Sequence, residues 1–78
     1  MDELVRHIER SLDERGFCLI FEDELERCWP NEEFNRADRE EQIDTFSKSH
    51  GWVVTILTTD SGVMRAMFAR HSGSAGLH

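Results

Sequence analysis

Seventy-eight residues with a formal net charge of −7, 32% charged and 38% hydrophobic, make one small domain, too apolar to stay unfolded throughout and too charged to live in a bilayer. No apolar run approaches the roughly eighteen residues that span a membrane, the longest being FCLIF and WVVTIL. The opening MDELVR carries acids where a secretory leader carries bases, so export by that route is not expected and the chain is placed in the cytoplasm.

In DELVRHIERSLDERG, Leu4, Val5, Ile8 and Leu12 recur at helical spacing, acids come early, and Arg15 and Gly16 close the segment. That pattern predicts a first helix. Asp2 with Arg6 and Arg10 with Glu14 stand four apart on the other side and read as a solvated charge lattice. FCLIF then predicts a short buried strand or extended link. In the next stretch Phe21, Leu25, Cys28 and Trp29 fall on one helical face before Pro30, which predicts a second helix capped by Asp23 and stopped by the proline.

NEEFNRA is a polar connection whose Phe34 is expected to turn back onto the core. DREEQIDTFSKSHG follows as a third helix, with Asp38 as cap three residues before Glu41, Ile43 and Phe46 facing inward, and Gly51 as the stop. Its outward side would show Glu40, Glu41, Asp44, Thr45 and Lys48. In WVVTILTTDSGVMRAMFAR, apolar residues stand on both faces of the first run, TTDSG supplies turn chemistry, and Val63, Met64, Ala66 and Phe68 resume an extended pattern. A β-hairpin is predicted, with one face on the helices and the other in need of a second cover. Residues 1–71 are expected to form the single domain and 72–78 a flexible tail.

The succession helix, short strand, helix, helix, hairpin is carried by FCLIFEDEL, DREEQIDTFSKSHGW and WVVTILTTDSGVMRAMFAR. It resembles the winged-helix fold, a helix-turn-helix variant with a β wing, over residues 2–70. The expected class is α+β, with three helices packed on a small antiparallel sheet that ends in a C-terminal hairpin. The resemblance implies a third helix placed for the major groove and a wing on the adjacent phosphates. Mapped onto this sequence, that helix would offer Arg39, Gln42, Thr45, Lys48 and Ser49, but also Asp38, Glu40, Glu41 and Asp44, whose carboxylates repel phosphate. Arg65 and Arg70, with Lys48, His50 and His71, are candidates for a small positive patch on the hairpin.

Charge is unevenly spread: residues 1–21, 22–44 and 45–78 carry nets of −2, −7 and +2. A polyanion would be repelled by the middle third and mildly attracted by the last.

Cys18 and Cys28, nine residues apart, fit neither a CxxC redox motif nor a zinc knuckle and are expected as core thiols. His7 reads as a surface or boundary residue and His50 as a partner for the carbonyls ending the third helix. No His/Cys pair has the short spacing that anchors zinc, the acidic runs lack the glycine of a calcium loop, and no glycine-rich turn cradles phosphate. Trp29 and Trp52 are expected to seal the core.

No cofactor, metal or enzymatic activity is therefore expected. The first functional reading is an acidic protein-interaction module, with Glu40, Glu41, Asp44, Lys48, Arg65 and Arg70 as candidate interaction residues. Its partner would present a basic or mixed surface, or would be a second copy in a homodimer through the sheet. The alternative is a dimeric winged-helix DNA-binding regulator; an acidic mimic of nucleic acid is a third reading.

Overall fold

Three helices and three strands follow one another as α1 (Asp2–Arg15), β1 (Phe17–Ile20), α2 (Glu22–Cys28), α3 (Arg36–Ser49), β2 (Trp52–Thr58) and β3 (Met64–Arg70) in a computed structural model that describes residues 2–71. The predicted tail, 72–78, lies outside the described residues. The sheet is antiparallel with strand order β1-β3-β2. This is a winged-helix-like α+β architecture, in which α2 and α3 form the helix-turn-helix and β2–β3 the hairpin.

The period-2 alternation of the strands decides what faces the helices. Cys18 and Ile20 of β1, Met64, Ala66 and Phe68 of β3 and Trp52 of β2 are buried, and they join Leu4, Ile8 and Leu12 of α1, Leu25 of α2, its C-cap Trp29, and Ile43 of α3 in one core. Phe34 packs against that core as expected. At one end Phe46 is the hub of an aromatic cluster, with its ring centroid 5.5 Å from Trp29, 5.8 Å from Trp52 and 6.0 Å from Phe68, all edge-on. Edge-on contacts place positive ring edges against negative faces.

Both helix starts differ from the sequence expectation. The N-cap of α2 is Phe21, in extended conformation and with no side-chain cap, so Asp23 sits in the first turn rather than at the cap. Phe21 is therefore not on the buried face of α2 but is 56% exposed. In α3 the N-cap is Asn35, whose side-chain oxygen accepts the Asp38 N–H at 2.8 Å. The helix thus begins before Asp38, because Asn caps as well as Asp does and stands three residues upstream of it. At the other end His50 is the C-cap, and Gly51 follows with φ of 76°, a left-handed turn that a Cβ disfavours. The hairpin closes through Thr59 N–H to Val63 O at 2.9 Å and Gly62 N–H to Thr59 O at 2.9 Å, with Gly62 at φ of 90°. A glycine of this conformation lets a three-residue loop match the strand twist.

Candidate protein interface

The placement of α3 rests on Arg39. Instead of facing outward, this residue is 2% exposed. Its Nε donates to the Trp29 carbonyl at 3.0 Å, Nη1 to Glu22 Oε2 at 3.1 Å and Nη2 to Glu26 Oε1 at 3.0 Å. The guanidinium thereby satisfies a carbonyl left open at the end of α2 and both carboxylates that α2 turns toward it. Glu22 does a second job. Its Oε1 accepts the Met64 N–H at 2.9 Å, two residues past the last β1–β3 pair, Ile20 with Ala66, so the carboxylate continues the ladder where the chain has already turned into α2.

With Arg39 withdrawn, the outward surface of α3 is acidic. Asp38 and Glu41 are exposed, Glu40 and Asp44 are half-buried, and Lys48 is exposed but held by Asp44 at 3.0 Å. Arg36 stands at the first turn. The candidates Glu40, Glu41, Asp44 and Lys48 thus share one helix.

Arg65 and Arg70 do not form a patch. They lie five apart on β3, and an odd separation sends them to opposite faces of the sheet. Arg70 pairs with Asp13 of α1, whereas Arg65 lies on the face away from the helices, in register with Leu57. His50 Nδ1 lies 2.9 Å from the Phe46 carbonyl, and its ring stacks on Trp52 at 4.8 Å and 17°. Both roles bind the end of α3 to the start of β2.

The face of the sheet opposite the helices is uncovered and largely apolar. The register places Phe17, Ala69 and Val53 in one row and Leu19, Met67 and Thr55 in the next, with Leu57 beside Arg65. Phe17, Phe21, Val53, Leu57, Val63 and Met67 are all exposed. Together they leave on the order of 500 Å² of apolar surface, near the upper end of what a monomer shows and a size that marks contact sites. Arg65 is the one charged side chain among the described residues of these rows. No described element of the chain supplies the second cover expected for this face, and the apolar surface continues past WVVTIL onto Phe17 of β1 and Phe21 at the start of α2.

Cys18 is buried and Cys28 half-buried, and both are free thiols. Burial pushes both thiols up, and Glu24 adds to the rise at Cys28, the opposite of what an attacking thiolate needs. Among the described residues no three His, Cys, Asp or Glu side chains gather into a metal-holding group. None of the helices there is long and apolar enough to cross a membrane. No family model matches the chain, and neither does any curated protein or solved structure.

Proposed function

We propose that the chain is a non-enzymatic protein-interaction module whose contact surface is the outer face of its sheet. The observation that carries this reading is the set of exposed apolar residues Phe17, Val53, Leu57 and Met67 on that face, with Phe21 just beyond the end of β1, around one cation, Arg65, that has no ion-pair partner among the described residues. Covering that surface gains apolar burial at roughly 25 cal/mol per Å² before association costs. A partner that covers Arg65 must also supply an acceptor, because a buried guanidinium without one is costly. The acidic side of α2 and α3 lies across the molecule and favours partners whose remaining surface is basic or mixed.

The test is proximity labelling from the full chain in its native cell, compared with Met67→Glu. Met67 is 36% exposed at the centre of the face, so the variant should keep its circular dichroism spectrum and lose a defined set of labelled proteins. An unchanged set would remove the outer face as the contact.

A second reading, a DNA-binding regulator, is favoured by the topology itself, since α2–α3 and the β2–β3 ribbon stand where a winged helix places its DNA-contacting elements. Against it stand the exposed acids of α3 and the engagement of Arg39 with Glu22 and Glu26.

A further inference from the structure

The sheet has two open edges, and they differ in kind. β1 is four residues long. Its flank toward α1 and α2 is a groove lined by charged side chains, among them Arg10, Arg15 and Glu24. Shortness and charge are the means by which proteins blunt an edge. β2 has neither. Its seven residues, WVVTILT, contain no charge, proline or glycine.

The hairpin bonds fix which backbone groups that edge presents. Thr59 donates to Val63 O, and the β2–β3 register continues the same pairing with Leu57 opposite Arg65, Thr55 opposite Met67 and Val53 opposite Ala69. Hydrogen-bonded pairs alternate in an antiparallel ladder, so the odd-numbered residues bond to β3. The N–H and C=O groups of Trp52, Val54, Ile56 and Thr58 therefore point away from the sheet, and as β2 is the terminal strand the ladder gives them no partner.

We infer that this edge pairs with the same edge of a second copy, antiparallel about a two-fold axis at Thr55, to make a continuous six-stranded sheet. This deepens the interaction reading above and rests on it for the use of the sheet as a contact. The register that pairs all four outward residues sets Val54 against the partner's Ile56 and Trp52 against the partner's Thr58, with about eight new backbone hydrogen bonds. It sets Val53 against the partner's Leu57 and Thr55 against the partner's Thr55 on the outer face. Every cross-strand pair is apolar or hydroxyl, and no like charges meet. Val54 and Ile56 are half-buried in one copy and gain a neighbour on the open side.

A face-to-face dimer is the poorer arrangement. It would bury Arg65 of both copies in rows that hold no acid among the described residues, and a buried guanidinium without a partner is costly. Edge pairing leaves Arg65 in solvent and joins the two apolar faces into one larger surface. Each copy carries a net charge of −7, so association should tighten as added salt screens the repulsion.

Two measurements on the full chain decide it. In the unaltered protein, amide exchange is followed as concentration rises. The Val53, Thr55 and Leu57 amides should be protected throughout, and those of Val54, Ile56 and Thr58 only as the dimer forms. The second is light scattering on Thr55→Lys, Thr55→Glu and their equimolar mixture. Thr55 is exposed, so both variants should fold.

Each alone should weaken the dimer about tenfold or more, because like charges then meet at the two-fold axis, and the mixture should restore it as a heterodimer. A monomer at all concentrations, a dimer that survives T55K, or a mixture that stays monomeric overturns the pairing, the first also being the outcome if a foreign strand is the true occupant. Any of these leaves the Met67→Glu comparison to decide the interaction reading separately, since Met67 lies on the central strand away from the edge.

Discussion

Arg39 joins α3 to α2 through two carboxylates and a carbonyl while 2% exposed, and a site of this kind is asymmetric in its response to mutation. Removing the cation leaves Glu22 partly buried and the Trp29 carbonyl unpaired, so Arg39→Ala should cost about 3–5 kcal/mol in urea unfolding. Arg39→Lys should recover less than half of that, because a single ammonium cannot reach all three acceptors of the fork. Eight residues along the same stripe, Ser47 is fully buried and its hydroxyl has no hydrogen-bond partner among the described residues. Ser47→Ala removes that unmet group and should stabilise by about 1 kcal/mol in the same assay.

The two thiols give a pH signature of their own. Burial raises Cys18 above the ordinary value of 9.0, which means that the folded state holds the thiol proton more tightly than the unfolded chain does. The resulting contribution to stability is complete below that ordinary value and is lost as pH rises past it toward the folded value. Alkylation of Cys18 at pH 8 should accordingly be slow in buffer and fast in urea, and the urea midpoint should begin to fall only in alkaline solution. A fast native reaction at neutral pH would contradict the burial.

Elements whose burial is apolar were legible in the sequence, and those whose burial is polar were not. The stripe Leu4, Ile8, Leu12 announced α1, and the hairpin announced itself by alternation around TTDSG. The buried residues of α3 are Arg39, Ile43 and Ser47, a helical stripe in which two of three members are polar, so hydrophobic periodicity picked out Ile43 and Phe46 and left Arg39 on the wrong side. The two acids spaced four apart on α2, Glu22 and Glu26, were the available hint that a cation from elsewhere would be drawn in. Asp38 is as good a capping residue as Asn35 within the same stretch, so the sequence alone does not single out Asn35.

The uncovered sheet face was visible in the two-sided WVVTIL run, but its extension onto β1 depends on the strand order, which local pattern does not fix. At the helix end, where the pattern was clear, a test is simple. Gly51 has φ of 76° with open space where a Cβ would stand, so the cost of Gly51→Ala is purely one of backbone conformation and should come to about 1 kcal/mol, read as a lower melting temperature.

At the scale of the whole molecule, the winged-helix architecture and the charge on it point in opposite directions, and an experiment can weigh them. Asp38, Glu40, Glu41 and Asp44 stand on the helix that the fold would lay in a groove, while Arg39 is engaged internally and Lys48 is held by Asp44. Four carboxylates near phosphate outweigh the contact that Arg36 could make at the end of the helix. Labelled duplex DNA at low salt should therefore show no shift at tens of micromolar protein, a range in which non-specific binders register.

The triple variant Glu40→Gln, Glu41→Gln, Asp44→Gln brings the net charge from −7 to −4, removes three of the four repulsive groups and frees Lys48. If repulsion alone separates this chain from a nucleic-acid binder, that variant should gain weak binding that vanishes on adding salt. Binding by the unaltered chain would show that the acids are turned from the duplex and that the hairpin makes the contact, which would carry the regulator reading past the interaction module.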